Sequence, residues 1–412
     1  MSASPVPVPT ELHVLPGPAL LSGLDGGPGL RAHRRQYGEP PRVDVAALLA
    51  ALARLRVRGR GGAAFPFEVK LRTAADRSRQ GRRPVVVVNL SEGEPASAKD
   101  SALALTRPHL VLDGAVATAY ALGARELHVV VPQERPLVGT AIRAALAERR
   151  DRLRTHLHTA QGRFVAGQAR AVLELMAGRP NLPVTAWSPE AVAGHRGRPT
   201  LLSNAETWAQ VGRLVLAGEE RYAALGSADE PGTTLLTLSA ATSTVVEVEL
   251  GSPWRDVLPE AWAGRSLLVG GFHGAWVPWA TLVAGRVSVD AMRAAETPLG
   301  AGVVVAPRGC PVAFTARVVD YLAAQSARRC GPCLNGLPAL ARAVQEVVDG
   351  AGHPERVEGL AALVTGRGAC AHPDGTARLV RSMLATFPDE VTRHATGRCT
   401  AVPSARLAEV AS

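Results

Sequence analysis

The stretch PVVVVNLSEGEPASAKD, residues 84–100, joins four consecutive valines to a run crowded with polar and ionisable side chains. An unbroken series of β-branched residues suits a strand buried on both faces, as in a parallel sheet covered by helices. The residues past the valines matter as much. Asn89, Ser91, Glu92, Glu94, Lys99 and Asp100 gather just beyond the strand, and an open α/β sheet places its ligands at that carboxyl edge.

Working outward, the flanks alternate between helix and strand. Upstream, in DVAALLAALARLRVRGRGGAAFPFEVKL (44–71), Asp44 is placed to cap a helix whose Leu48, Leu49, Leu52 and Leu55 share one face. A glycine-rich loop ends it, and Pro66 suits the first turn of the next helix, which carries Lys70. Downstream, PHLVLDGAVATAYALG (108–123) reads as a helix, RELHVVVP (125–132) as a second buried strand and PLVGTAIRAALAERRDRL (136–153) as a further helix. Such alternation predicts an α/β domain with a mostly parallel sheet over residues 43–228. Beyond it, residues 229–298 read as a small strand-helix-strand module. Residues 299–395 are predicted to be a helical bundle with segments near 312–328, 334–348, 354–366 and 374–386. Residues 1–42, rich in Pro and Gly, read as an extended arm with little core of its own, and 396–412 as a tail.

Composition narrows the function. The chain has 412 residues, enough for two to four units, and 47% of them are hydrophobic, so it has material for a sizeable core. No run reaches the ~18 apolar residues of a membrane helix, and MSASPVPVPTELHVLPG lacks the basic and apolar regions of a secretory leader. A cytoplasmic protein with no direct membrane insertion is the expectation. Five widely spaced cysteines do not make a disulfide framework, which leaves thiols for metal. The net charge of +10 is spread along the chain as arginine without interleaved aromatics, so no nucleic-acid partner is expected. Against that arginine background Lys70 and Lys99 are the only lysines.

Three further stretches carry candidate chemistry. In RGRGGAAFPFEVK (58–70), Gly59, Gly61 and Gly62 permit close backbone approach, and the helix after them offers unpaired N–H groups to an anion such as phosphate. Alone it is equally a glycine-rich turn between helices; beside the polar edge at 89–100 it favours a nucleotide-like cofactor. GRPTLLSNAETW (197–208) adds Ser203, Asn204 and Thr207. SARRCGPCLNGLPAL (326–340) places Cys330 and Cys333 three apart, as a metal site, a redox pair or buried small residues.

Taken together and in order, RGRGGAAFP...K, NLSEGEPASAKD, RPTLLSNAETW and CGPCLNGLP, with Cys370 in GACAHPDG, resemble the motifs of the NADH-oxidising flavoprotein subunit of respiratory complex I and of related diaphorase subunits. The resemblance spans roughly residues 45–395. It implies a Rossmann-like FMN-binding domain, a ubiquitin-like β-grasp module and a helical bundle holding an iron-sulfur cluster. No side-chain nucleophile is expected, because the cofactors carry the chemistry. Residue by residue, Gly59, Arg60, Gly61, Gly62 and Lys70 match the flavin-phosphate loop and its lysine. Asn89, Glu92, Ser203, Asn204 and Thr207 match positions around FMN, and Phe65 and Glu94 match positions that meet NADH. Cys330, Cys333 and Cys370 match three cluster ligands.

The departures are as specific as the matches. Gln168 and Ala169 stand where the resemblance implies two glutamates beside the nicotinamide, and Ala327 stands where it implies the first cluster cysteine. A [4Fe-4S] cluster would then need another fourth ligand, with Cys310, Cys399, a carboxylate, water or a partner residue as candidates; a [3Fe-4S] cluster, or none, are the alternatives. Lys99 reads as a surface or helix-capping lysine, and His372 as a packing residue. The expectation is an electron-transfer oxidoreductase that passes electrons between a two-electron donor, NADH being possible, FMN and a cluster to a ferredoxin-like or other electron-transfer subunit. The rival is a scaffold that keeps the fold without cofactors.

Overall fold

The structure is a computed structural model, and it describes residues 11–401. The ends of the expected arm and tail, 1–10 and 402–412, lie outside the described residues. Among the described residues ten strands, β1 (Leu12–Val14), β2 (Val85–Asn89), β3 (Glu126–Pro132), β4 (Arg154–Ala160), β5 (Thr200–Asn204), β6 (Thr233–Ser239), β7 (Ser243–Glu249), β8 (Leu267–Val269), β9 (Ala275–Val277) and β10 (Val303–Val305), form two sheets.

The first sheet has the order β4-β3-β2-β5, and every pair in it is parallel. All five residues of β2 are buried, as its valine run predicts. Helices Phe67–Arg79, Pro108–Ala121, Pro136–Glu148 and Ala205–Ala223 cover the sheet, and Asp44 caps helix Val45–Arg54 by accepting from the N–H groups of Ala46 and Ala47. Helices Pro108–Ala121 and Ala205–Ala223 cross at paired glycines. A Cβ on Gly114 would come within 2.0 Å of the Trp208 carbonyl oxygen, and one on Gly212 within 2.3 Å of the Leu110 carbonyl oxygen. Only hydrogen fits at either position.

The second sheet, β1-β7-β6-β10-β8-β9, is mixed. Its longest pairing is the antiparallel β6–β7 pair, but β1 and β10 come from outside residues 229–298, where the sequence places the small module. Both are three-residue strands, too short to show a period. The C-terminal part packs helices Pro311–Ala324, Leu337–Val348, Pro354–Val364 and His372–Thr386 near the predicted segments, and adds a fifth, Pro388–Ala395. Pro388 occupies the first turn of that fifth helix.

The N-terminal segment departs from the expected arm. Besides β1 it forms helix Leu30–Tyr37, and Leu20 and Leu21 are fully buried. Two distant carboxylates pin it. Glu247 accepts from the N–H groups of Ala19, Leu20 and Leu21 at 2.8–3.0 Å. Asp113, itself fully buried, takes His33 at 2.8 Å, Arg34 at 2.6 Å and Arg149 at 2.7 Å. Burial alone would raise the Asp113 pKa, but these partners hold it well below the carboxylate range. Ordering of the segment thus depends on long-range pairs that no local pattern announces.

Candidate flavin crevice and cluster site

Strand order locates the crevice. From β2 the chain steps outward to β3 and β4, and it then returns to the other side of β2 as β5. Successive crossovers therefore diverge between β2 and β5, and the carboxyl ends of those two strands border a topological switch point, where open α/β sheets bind nucleotides. Asn89 and Asn204 are register partners there, with Ser203 beside Val88.

The glycine loop folds over this edge. The Arg60 N–H donates to Thr207 Oγ1 at 2.8 Å, and the Asn204 amide donates to the Arg60 carbonyl at 3.3 Å. Gly61 lies against the Asn204 side chain, and Gly62, at φ +102°, occupies backbone space disfavoured for any side chain. Lys70, from the helix behind the loop, places Nζ 2.8 Å from Glu190 and 3.1 Å from the Leu202 carbonyl. Burial tends to raise the Glu190 pKa, yet the Lys70 ammonium keeps it below its ordinary value.

Lys99 corrects the expectation of a surface or capping residue. It is buried, with Nζ 2.8 Å from Asp100 and 3.1 Å from Glu206. Burial opposes its charge, but Asp100 and Glu206 outweigh burial and hold its pKa above the usual lysine value. Glu92 is equally enclosed. It accepts from the N–H groups of Asp100 and Ser101 at the start of helix Lys99–Thr106 and pairs with Arg135 at 2.6 Å. Its carboxylate is therefore engaged in ordering the loop that forms the crevice rim.

Of the two residues matched to NADH, Phe65 is largely exposed and Glu94 is not. Glu94 accepts from the N–H groups of Phe272 and Ala96, and burial pushes its pKa up to about 7. The structure thus leaves the ring of Phe65 free and engages Glu94 beneath the 271–273 turn. Gln168 and Ala169, in place of acids, begin helix Ala169–Met176.

One turn, Phe164–Gly167, ties the crevice to the cysteines. On one side the Asn89 amide donates to the Gly167 carbonyl at 2.8 Å, and a Cβ on Gly93 would meet the Phe164 carbonyl oxygen at 2.3 Å. On the other side the Phe164 ring packs on His273 at 4.4 Å between centroids and on His372 at 5.6 Å. The side chain of the next residue, Gln168, lies beside the Cys370 thiol and offsets part of the rise in its pKa that burial causes. His372 is fully buried and engages His273 and the Leu322 carbonyl through its two ring nitrogens, as a packing residue does.

Cys330 precedes a π-helical turn, Pro332–Gly336, that contains Cys333, and Cys370 is near enough to act on the Cys333 thiol. Burial would raise Cys330, but N–H groups of Ala369 and Cys333 bring its pKa below the ordinary thiol value. Burial pushes Cys333 up to about 12, with Cys330 and Cys370 adding to the effect. Ala327, half-buried, offers no ligand, and the neighbouring Ser326 hydroxyl is turned to the Cys333 carbonyl.

Two expected substitutes for the fourth ligand fall away. Cys310 caps the N-terminus of helix Pro311–Ala324, whose 14 residues span about 21 Å, and Cys330 lies beyond the opposite end. Cys399 sits with Cys310.

These residues fit both implied cofactors, FMN by its phosphate end and a cluster by three thiols. Glycine backbone, an anion-receiving lysine and paired asparagines at the switch point suit a nucleotide phosphate, although Glu190 must yield Lys70 to it.

Fold and site together define an electron-transfer protein of the FMN and iron-sulfur class. Residues 52–213 match the family described as the Nuo51 FMN-binding domain, and residues 313–394 match the NADH-ubiquinone oxidoreductase-F iron-sulfur binding region. The chain is 30% identical to the F subunit of NADH-quinone oxidoreductase from Mycobacterium tuberculosis (strain ATCC 25618 / H37Rv), over 83% of each chain. It is 28% identical to the F 2 subunit of NADH-quinone oxidoreductase from Rhizobium meliloti (strain 1021), over 92% of this chain and 95% of that one. An NAD+-reducing [NiFe]-hydrogenase in its H2-reduced state shares the fold, with a TM-score of 0.80 at 24% identity over 97% of this chain and 71% of that chain. The chain belongs to the family of NADH-quinone oxidoreductase F subunits. No described helix is long and apolar enough to cross a membrane.

Sequence reading missed Glu190, Arg135 and the Phe164–Gly167 turn, and passed over Glu206 inside GRPTLLSNAETW. Each acquires its role from a partner far along the chain.

Proposed function

We propose that this chain binds FMN at the β2–β5 switch point and passes its electrons to a cluster held by Cys330, Cys333 and Cys370. The Phe164–Gly167 turn carries this reading, because Asn89 at the crevice grips Gly167 and the adjacent Gln168 reaches Cys370. FMN supplies the exchange between two-electron and one-electron chemistry, and a cluster accepts single electrons.

The chain's own residues position and exclude. The backbone N–H groups of Gly61 and Gly62 and the Lys70 ammonium would hold the phosphate, since those of Gly59 and Arg60 are spent on the Phe65 carbonyl and Thr207, while Asn89, Ser203, Asn204 and Thr207 line the strand ends. Arg135, Glu92 and Lys99 hold the rim rigid from behind. Aromatic packing of Phe164, His273, His372 and Tyr321 keeps water from the ground between crevice and thiols. Phe65 offers a ring face to a nicotinamide or another flat donor. With Gln168 and Ala169 in place of acids, NADH is the donor on which this chain differs most from the resemblance. The acceptor is an electron-transfer subunit docking beside the exposed Cys330 loop.

Two substitutions at one ion pair test the phosphate assignment in opposite directions. Lys70→Ala is expected to weaken FMN binding by about 10- to 100-fold, the value of one charge-assisted contact. Glu190→Gln frees Lys70 and is expected to strengthen it. Equal FMN affinity in all three proteins, measured by flavin fluorescence quenching, removes the assignment.

A further inference from the structure

Away from the crevice and the three-cysteine loop, four side chains converge where the last helix meets the start of the bundle. Cys310 precedes helix Pro311–Ala324, Glu390 and His394 lie one turn apart on helix Pro388–Ala395, and Cys399 comes after that helix. The ligand atoms of all four lie within 4.8 Å of one another. Cys310 Sγ is 3.2 Å from His394 Nε2 and 3.7 Å from Glu390 Oε1, and His394 Nε2 is 3.6 Å from that oxygen. These separations are those of ligands around one small ion.

We propose that Cys310, Glu390, His394 and Cys399 form a closed, structural zinc site. Two thiolates, an imidazole and a carboxylate in a compact tetrahedral set select Zn(II) over oxygen-seeking ions such as Mg(II).

Surrounding contacts have the form that metal ligands need. The His394 Nδ1–H faces the Val348 carbonyl at 2.8 Å, which leaves the Nε2 lone pair for the ion. The Ala313 N–H, in the first turn of its helix, approaches Cys310 Sγ at 3.5 Å and favours the thiolate. Glu390 is oriented by the Thr400 N–H at 3.0 Å and hydroxyl at 2.6 Å, and Arg393 lies 3.4 Å from it, offsetting the site's net negative charge. Zinc binding releases the protons of both cysteines. With four protein ligands no position is open for substrate, and the ion's work is to fasten helix Pro388–Ala395 to the head of helix Pro311–Ala324.

The site is independent of the electron-transfer reading, and its test is independent too. Full-length protein is purified without oxygen, supplied with zinc, desalted and analysed for zinc, iron and FMN. The wild type is expected to retain about one zinc per chain, to lose it in C310S/C399S with FMN content unchanged, and to keep it in C330S/C333S. Cobalt(II) added to metal-free protein should give thiolate charge-transfer absorption in wild type and in C330S/C333S, and none in C310S/C399S. Circular dichroism shows that the variants are folded. Zinc retained in C310S/C399S, zinc lost instead in C330S/C333S, folded wild type without zinc, or a Cys310–Cys399 disulfide in oxygen-free protein would each overturn the proposal.

Discussion

Replacing Lys99 by methionine should destabilise the flavin domain by about 3–5 kcal/mol, the penalty for leaving buried charges without their partner. Methionine keeps the alkyl stem and removes only the ammonium, so Asp100 and Glu206 remain enclosed with no cation at 2.8 and 3.1 Å. The deficit should also depend on pH. Burial already lifts Asp100 above the usual aspartate value, and removing Lys99 lifts it further. A carboxyl whose folded pKa is raised contributes stability below its unfolded pKa and loses it as pH rises, so the variant's deficit should widen between about pH 5 and pH 8. Urea unfolding at both pH values reads it, and Glu206→Gln in the same background should recover part of the loss. A midpoint equal to wild type at both would show that Lys99 does not hold the network.

The second large effect is a gain. Ala327→Cys supplies the thiol that the three-cysteine set lacks, on a half-buried position next to Ser326, whose hydroxyl meets the Cys333 carbonyl at 3.5 Å. Iron per chain after anaerobic reconstitution is expected to rise from about three to about four, and the brown absorbance should survive air at least about tenfold longer. Unchanged iron content and lifetime would mean that position 327 does not face the cluster.

The fold was legible wherever burial writes a period. The valine run gave a fully buried central strand, and leucines spaced for one helical face gave the helix that Asp44 caps. Positions at the strand ends were legible too, because a parallel sheet makes its carboxyl edge functional: Asn89 and Asn204 prove to be register partners. Three-residue β1 and β10 carry too few residues to show alternation. The anchoring of residues 19–37 depends on Asp113 and Glu247, which look like ordinary helix and strand acids until the chain folds onto them. Lys99 escaped a correct placement for a related reason. A lone lysine in a polar loop reads as solvated, and only Glu206, more than a hundred residues on, makes its burial tolerable. Cys310 and Cys399 likewise have meaning only beside Glu390 and His394.

Flavin occupancy of the β2–β5 crevice supports the electron-transfer account, and the visible spectrum of the full-length protein purified without oxygen measures it directly. The expected spectrum shows flavin bands at about one FMN per chain over a broad iron-sulfur shoulder. A folded protein that stays colourless after incubation with excess FMN, iron and sulfide would contradict it.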